Sequence, residues 1–174
     1  TTWLWGADSF SFKLGNLLIH LGCGVLGWVV LRCVLLRDKR LAHHAELVAT
    51  LAATFWLLHP LQVSTVLYAV QRMAQLSALF TLAAICLYLL ARQQLIHGRT
   101  LMARVNLFIA FPAMLLLGIL SKQNAAVAPA ICLALEFAYF REQPRHGRTL
   151  PAFFAIFLAV PALGMLSLLL FAPH

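Results

Sequence analysis

Acidic residues are scarce in this sequence. Only 5 of its 174 residues are Asp or Glu, against 13 Lys and Arg, and charged residues make up 10% of the chain. A soluble domain carries roughly 25% charged residues. With hydrophobic residues at 63%, the composition excludes an ordinary water-soluble fold, and the long apolar runs indicate a polytopic helical membrane protein.

Motifs of several common sites are also lacking. The four cysteines all lie in apolar runs without a CxxC or His/Cys ligand spacing, so we expect small buried hydrophobic side chains and no metal site. The sequence has no nucleotide fingerprint, low-complexity segment or soluble domain, so residues 1–174 are interpreted as a single transmembrane domain. Because the chain begins TTWLWGADSF without a methionine, we expect a fragment of a larger protein.

Six apolar helices are predicted, at about 14–36, 45–58, 73–91, 105–120, 125–140 and 150–171. The second is short for a hydrocarbon core of ~30 Å, so we extend it back to Leu41 and expect a tilt. Pro112 is expected to kink the fourth helix, and Ser121 is a candidate N-cap for the fifth. The predicted fold class is therefore all-α, a polytopic transmembrane bundle of about six spans.

The basic residues are distributed unevenly between the two ends of these spans. With six alternating crossings, ten of the 13 Lys and Arg fall on one side, and only Lys13, Arg72 and Lys122 fall on the other. The positive-inside rule then predicts that the basic loops are cytoplasmic and that both ends of the segment lie on the outer face. Because the cations occupy short loops between spans, no nucleic-acid partner is expected.

A polar stripe precedes the third span. Its residues recur at three- and four-residue steps, with apolar residues between them: Ser64, Thr65, Tyr68, Gln71, Arg72 and Gln75. A helix over residues 60–72 would gather these side chains on one face, which predicts an interfacial or cavity-lining helix. A guanidinium this close to hydrocarbon is costly unless it snorkels, pairs or faces a wet cavity, so Arg72 is the leading site residue.

Arg72, with Gln71 and Gln75, has the donors needed to bind an anionic head group, because a guanidinium can form two parallel hydrogen bonds to a phosphate. The alternative is an interfacial arginine that snorkels. Lys122, next to Gln123, would supply a second cation to the same anion, or is an ordinary loop lysine.

Four other polar residues are weaker candidates. His59 is either a proton donor or phosphate partner, or a histidine that caps a helix. Asn16 and His20, four residues apart on the first span, are expected to form interhelical hydrogen bonds. Glu136 is expected to pair with a loop arginine.

A carboxylate on the outer face can act as a general base that activates a hydroxyl group. Asp8 is the one acidic residue predicted there, in a Gly-Ala-Asp-Ser turn. It is therefore the candidate catalytic base.

Three segments of the chain resemble the membrane region of a known family. They are FKLGNLLIHLGCGVLGWVVLR, WLLHPLQVSTVLYAVQRMAQLSALFTLAAICLYLLAR and GILSKQNAAVAPAICLALE. Their order and spacing resemble bacterial tetratricopeptide-repeat membrane proteins, similar to the transmembrane and tetratricopeptide-repeat-containing protein O-mannosyltransferases of GT-C-type fold. The resemblance covers roughly residues 10–140. Its most specific parts are His-Pro at 59–60, Gln-Arg at 71–72 and Ser-Lys at 121–122.

The resemblance implies an integral membrane glycosyltransferase in the bacterial inner membrane, with both ends of this segment periplasmic. It implies transfer of a sugar from a polyprenyl-phosphate donor to a protein hydroxyl or glycan. Arg72 and Lys122 would lie near the lipid phosphate, with His59 and Gln71 close by. No cofactor is implied beyond this donor substrate. The implied partners are membrane lipid, the lipid-linked sugar and the acceptor.

This chain departs from the family in two respects. The acidic motif of the first outer loop and the repeat helices that normally follow the membrane part are not among these 174 residues. We therefore expect an incomplete piece of the enzyme, a GT-C-like partial membrane domain. The alternative is a non-catalytic membrane scaffold or lipid-binding module of the same fold.

Overall fold

The computed structural model describes residues 9–141, 143, 148–163 and 167, and the regular secondary structure of these residues is helical. Seven α-helices are numbered here in chain order: α1 Ser9–Leu35, α2 Ala45–Leu58, α3 Gln62–Leu67, α4 Arg72–Ile96, α5 Thr100–Ser121, α6 Ala128–Tyr139 and α7 Thr149–Leu163. Short 3₁₀ turns precede α2, α4 and α6.

Three of these helices, α1, α4 and α5, are long and apolar enough to cross a membrane. Protein buries little of their apolar surface: in the most apolar window of α1, 17% of the residues are buried. Leu18, Val25 and Leu116 are among the large apolar side chains left exposed. Because a water-soluble protein rarely exposes apolar surface this continuous, a lipid surrounding accounts for it, and the chain is a helical membrane protein.

Helix α4 lies between α1 and α5, which form its most extensive contacts, and α2 packs against α1. The two ends of the bundle differ in the residues that they contain. The Arg72 end contains Phe12, Leu57, Arg72 and Lys122. The basic end, where α1, α4 and α6 finish, contains the segment 36–41, with Arg37, Lys39 and Arg40.

Helix bounds confirm part of the prediction. Helix α2 ends at Leu58, as predicted, but it begins at Ala45, because residues Ala42–His44 form a 3₁₀ turn instead of the expected extension to Leu41. Ahead of Pro112, the helix is not regular: residues Asn106–Ala110 form a π-helical turn. Proline cannot donate the usual backbone hydrogen bond, and a local change of helix type accommodates this.

Two expectations for the connections are wrong. The helix predicted over residues 60–72 is broken, because Tyr68 has an extended backbone (φ −93°, ψ 125°) and ends α3. The polar stripe is therefore divided between α3 and α4. Ser121 is not an N-cap: it is the last residue of α5, and its Oγ donates a hydrogen bond to the Leu117 carbonyl, 2.9 Å away.

Gly118 permits close packing at the Arg72 end. A Cβ atom at this position would lie 2.7 Å from the Cβ of Ala125 and 3.4 Å from that of Phe80. A Cβ is fixed by the backbone, so neither neighbour can rotate away. We expect Gly118→Ala to destabilise the protein by about 1–3 kcal/mol, the usual cost of overpacking.

The matched control is Gly27→Ala, since Gly27 also lies in a long helix and an added Cβ meets nothing within 4 Å. Thermal unfolding in detergent, followed with a thiol-reactive dye, measures both variants, because all four cysteines are buried or half-buried. Equal unfolding temperatures for the two variants would contradict the packing argument.

Candidate functional site

Arg72 is anchored to α1. Its Nε donates a hydrogen bond to Asn16 Oδ1 and its Nη2 donates one to the Phe12 carbonyl, each 2.9 Å long. The guanidinium also lies over the Phe12 ring, 4.9 Å from its centre. Space for the guanidinium depends on Gly15, where a Cβ would come within 2.9 Å of Nη2. The first residue of α4 is therefore held against the first turns of α1.

Asn16 holds the break between α3 and α4. Its side chain is 1% exposed, and its Nδ2 donates hydrogen bonds to the carbonyls of Val66 (3.1 Å) and Tyr68 (3.3 Å). Since Asn16 also accepts from Arg72, one amide joins three points of the chain. The prediction that Asn16 forms interhelical hydrogen bonds is confirmed.

His20, one turn further along α1, joins α1 to α2. Its Nε2 lies within hydrogen-bonding distance of the Leu57 carbonyl, 3.2 Å away, and its ring stacks on Trp56 at 4.9 Å. The interhelical hydrogen bond predicted for His20 is therefore also confirmed.

Gln75, one turn after Arg72, is buried at 4% exposure. Its Nε2 donates to the Thr65 carbonyl, 2.9 Å away, whereas its Oε1 is buried with no hydrogen-bond partner. Gln71 lies in the 3₁₀ turn before α4 and is exposed. His59 Nδ1 accepts the backbone N–H of Leu61, 3.2 Å away. This bond lies in the turn between α2 and α3, and α3 itself begins without a side-chain cap.

Lys122 lies between α5 and the 3₁₀ segment Gln123–Val127, and both Lys122 and Gln123 are exposed. The Lys122 carbonyl accepts a hydrogen bond from Ser77 Oγ, 3.0 Å away. A mainly apolar recess of about 370 Å³ opens beside it. Its lining includes Ser77, Thr81, Ile85, Lys122, Asn124 and Ile131.

Arg72 and Lys122 lie at the same end of the bundle but on different flanks of α4. Ser77, the α4 residue bonded to Lys122, is five positions after Arg72, which on an α-helix is a rotation of about 140°. The guanidinium bonds to α1, whereas the lysine borders the recess between α4 and α6. The structure therefore groups Arg72 with Asn16 and Phe12, and Lys122 with Ser77 and Asn124.

The carboxylates of the described residues lie away from the Arg72 end. Asp8 falls outside the described residues. Asp38, Glu46 and Glu136 all lie toward the basic end, where Glu46 pairs with Arg32 at 2.6 Å.

Glu136 pairs with an arginine, as predicted, but that arginine is inside a helix. Arg92 Nε and Tyr88 Oη both donate to Glu136 Oε2, over 2.8 Å and 2.7 Å. Arg92 is 0% exposed, and its Nη1 and Nη2 have no hydrogen-bond partner. The predicted third span ends at residue 91, before Arg92, so the sequence did not predict this network. A signal was present, because Tyr88 and Arg92 are four residues apart and so share a helix face.

No protein-family model, curated protein or solved structure matches this chain.

Proposed function

We propose that the chain is the membrane part of a GT-C-type glycosyltransferase, which transfers a sugar from a polyprenyl-phosphate donor to a protein hydroxyl or glycan. The observation that carries the proposal is the recess beside Lys122. A mainly apolar recess that has a lysine in its lining suits an isoprenoid chain that ends in a phosphate. The resemblance of the three sequence segments supplies the reaction type.

The reaction would be a direct displacement at the anomeric carbon. The acceptor oxygen forms a bond to this carbon as the bond to the phosphate oxygen breaks, and the lipid phosphate leaves with the negative charge. Lys122 would stabilise this charge at the border of the recess. Arg72 would position the α3–α4 connection, through Phe12 and Asn16. Asp8 remains the proposed base that takes the acceptor proton.

The proposed orientation follows from the charge distribution. The basic end would be cytoplasmic, and the Arg72 end and both chain ends would be periplasmic in a bacterial inner membrane. Helices α2, α6 and α7 would complete six crossings together with α1, α4 and α5.

A non-catalytic lipid-binding module is the second candidate. Two observations favour it: Arg72 is engaged by α1, and the carboxylates of the described residues lie away from the Arg72 end. In this alternative, the recess still holds a lipid phosphate but no sugar is transferred.

Photolabelling with a polyprenyl phosphate that carries a photoreactive chain tests lipid binding. We expect crosslinks at Ala78, Thr81 and Ile85, which line the recess on α4. Lys122→Gln should lower the labelling several-fold, since the phosphate loses its cation. Lys13→Gln is the control, because Lys13 is an exposed lysine at the same end.

Equal labelling of both variants, or crosslinks spread over the apolar surface, would overturn the binding proposal. Transfer of a radiolabelled sugar by the complete protein then separates the two candidates. Labelling without transfer favours the lipid-binding module.

A further inference from the structure

A polar cavity lies at the basic end, opposite the recess beside Lys122. It has a volume of about 800 Å³ and lies between the end of α1, the segment 36–41 and the end of α6. Four cationic side chains line it: Arg37, Lys39, Arg40 and Arg141. The proposed glycosyl-transfer function does not use this cavity.

Positive charge dominates this cavity. Its one described carboxylate belongs to Asp38, whose Oδ1 already accepts the backbone N–H of Arg40, 2.8 Å away. Arg37 lies over one ring, that of Phe140, at 4.2 Å, and the buried Arg92 lies over the same ring at 4.9 Å. Burial and the charge of Arg92 both lower the pKa of Arg37. The excess of four cationic residues over one described carboxylate in the lining favours the entry of an anion.

The cavity also has an apolar wall. Leu36 and Phe137 line it and are 46% and 59% exposed. They lie at the ends of α1 and α6, where apolar helix surface gives way to the cationic segment. A ligand with both an anionic group and a hydrocarbon chain would contact the cationic residues and the apolar wall at once. A free phosphate or a nucleotide would leave the apolar wall without a contact.

We infer that this basic cavity binds the head group of an anionic phospholipid. The phosphodiester lies among the cationic side chains, and the acyl chains run along Leu36 and Phe137 into the bilayer. Basic pockets between helix ends are known to select anionic lipids over zwitterionic ones, with each Lys or Arg near the surface contributing about 1 kcal/mol.

Binding of a fluorescent short-chain phosphatidylglycerol to the complete protein in detergent tests this inference, with phosphatidylcholine of the same chain length as the comparison. The test variant is Lys39→Gln with Arg40→Gln. Two cations at about 1 kcal/mol each, with 1.4 kcal/mol per tenfold change, predict roughly 30-fold weaker binding of phosphatidylglycerol. Both residues are exposed, so the fold should be kept, and the elution profile in size-exclusion chromatography verifies this.

The control variant is Arg99→Gln with Arg104→Gln. It removes the same charge from two exposed residues on and beside α5 that do not line the cavity, and it should change the affinity little. Equal losses in the two variants, or equal affinity for phosphatidylcholine, would overturn the inference. Competition by inorganic phosphate at millimolar concentration would instead identify a soluble anion as the ligand and overturn the lipid assignment.

Discussion

Replacing Glu136 by glutamine is expected to destabilise the protein by about 3–5 kcal/mol, the usual cost of leaving one buried charge of an ion pair without its partner. Arg92 is fully buried, and Glu136 Oε2 is the acceptor for its Nε. Glutamine keeps the shape and an acceptor oxygen but removes the negative charge. The guanidinium would then remain in an apolar surrounding with no compensating charge.

The exposed ion pair Arg32–Glu46 supplies the matched control. Its side chains are 37% and 61% exposed, and exposed pairs contribute about 0–1 kcal/mol. Glu46→Gln should therefore change the unfolding temperature little. The thiol-reactive dye measures both variants in the same detergent, and equal shifts for Glu136→Gln and Glu46→Gln would contradict the assigned cost of the buried charge.

A triple variant separates loss of charge from loss of packing. Tyr88→Phe, Arg92→Leu and Glu136→Leu together remove both charges and the hydroxyl that bonds to them. Replacing a complete buried ion pair by apolar residues is often neutral or stabilising by about 1–4 kcal/mol. We expect the triple variant to be more stable than Glu136→Gln alone. A triple variant as unstable as Glu136→Gln would show that shape, not charge, sets the cost.

Composition and hydropathy were sufficient to predict a helical membrane protein, because the membrane imposes long apolar runs on any helix that crosses it. The apolar run also gave the end of α2 at Leu58 correctly, although its expected extension to Leu41 was wrong. The polar residues of α1 were correctly interpreted, since a buried Asn or His between apolar helices has few partners other than another helix.

Contacts distant in sequence explain what the sequence did not predict. The periodicity of residues 60–72 fits one helix, but Asn16 captures the carbonyls of Val66 and Tyr68, some 50 residues away in the chain. This stabilises the break at Tyr68. A periodic pattern identifies the face a residue occupies but not which neighbour lies opposite it, and so Arg72 and Lys122 could not be assigned to different flanks of α4.

Arg92, near the other end of α4, also has a neighbour that the sequence pattern did not identify. A charged residue after an apolar run suggests that the helix has ended, yet α4 continues to Ile96, shortly before Gly98. Gly98 has φ 74°, which favours glycine, and this left-handed residue follows the helix end. Glu136 on α6 makes the buried arginine tolerable, and the sequence predicted an arginine partner for Glu136 without identifying Arg92 as that partner.

Arg72→Lys is expected to reduce sugar transfer by the complete protein about 100-fold, the usual cost when a substitution away from the reacting atoms misplaces a site by about 1 Å. Arg72 uses two nitrogens, Nε and Nη2, to reach Asn16 and the Phe12 carbonyl. A lysine has one ammonium and no planar group to lie over the Phe12 ring. The connection between α3 and α4 should therefore loosen, and faster hydrogen exchange in residues 62–71 would report this directly.

Asn16→Leu distinguishes positioning from direct contact with the phosphate. This variant removes the oxygen that accepts from Arg72 Nε and the two hydrogen bonds to the carbonyls of Val66 and Tyr68. It leaves the guanidinium charge in place. If Arg72 acts only by positioning, the two variants lose transfer equally and share the same increase in hydrogen exchange. If the guanidinium contacts the donor phosphate, Arg72→Lys loses more. Arg99→Lys, an exposed arginine at the basic end, controls for the substitution itself, and near-normal transfer by Arg72→Lys would remove Arg72 from the site.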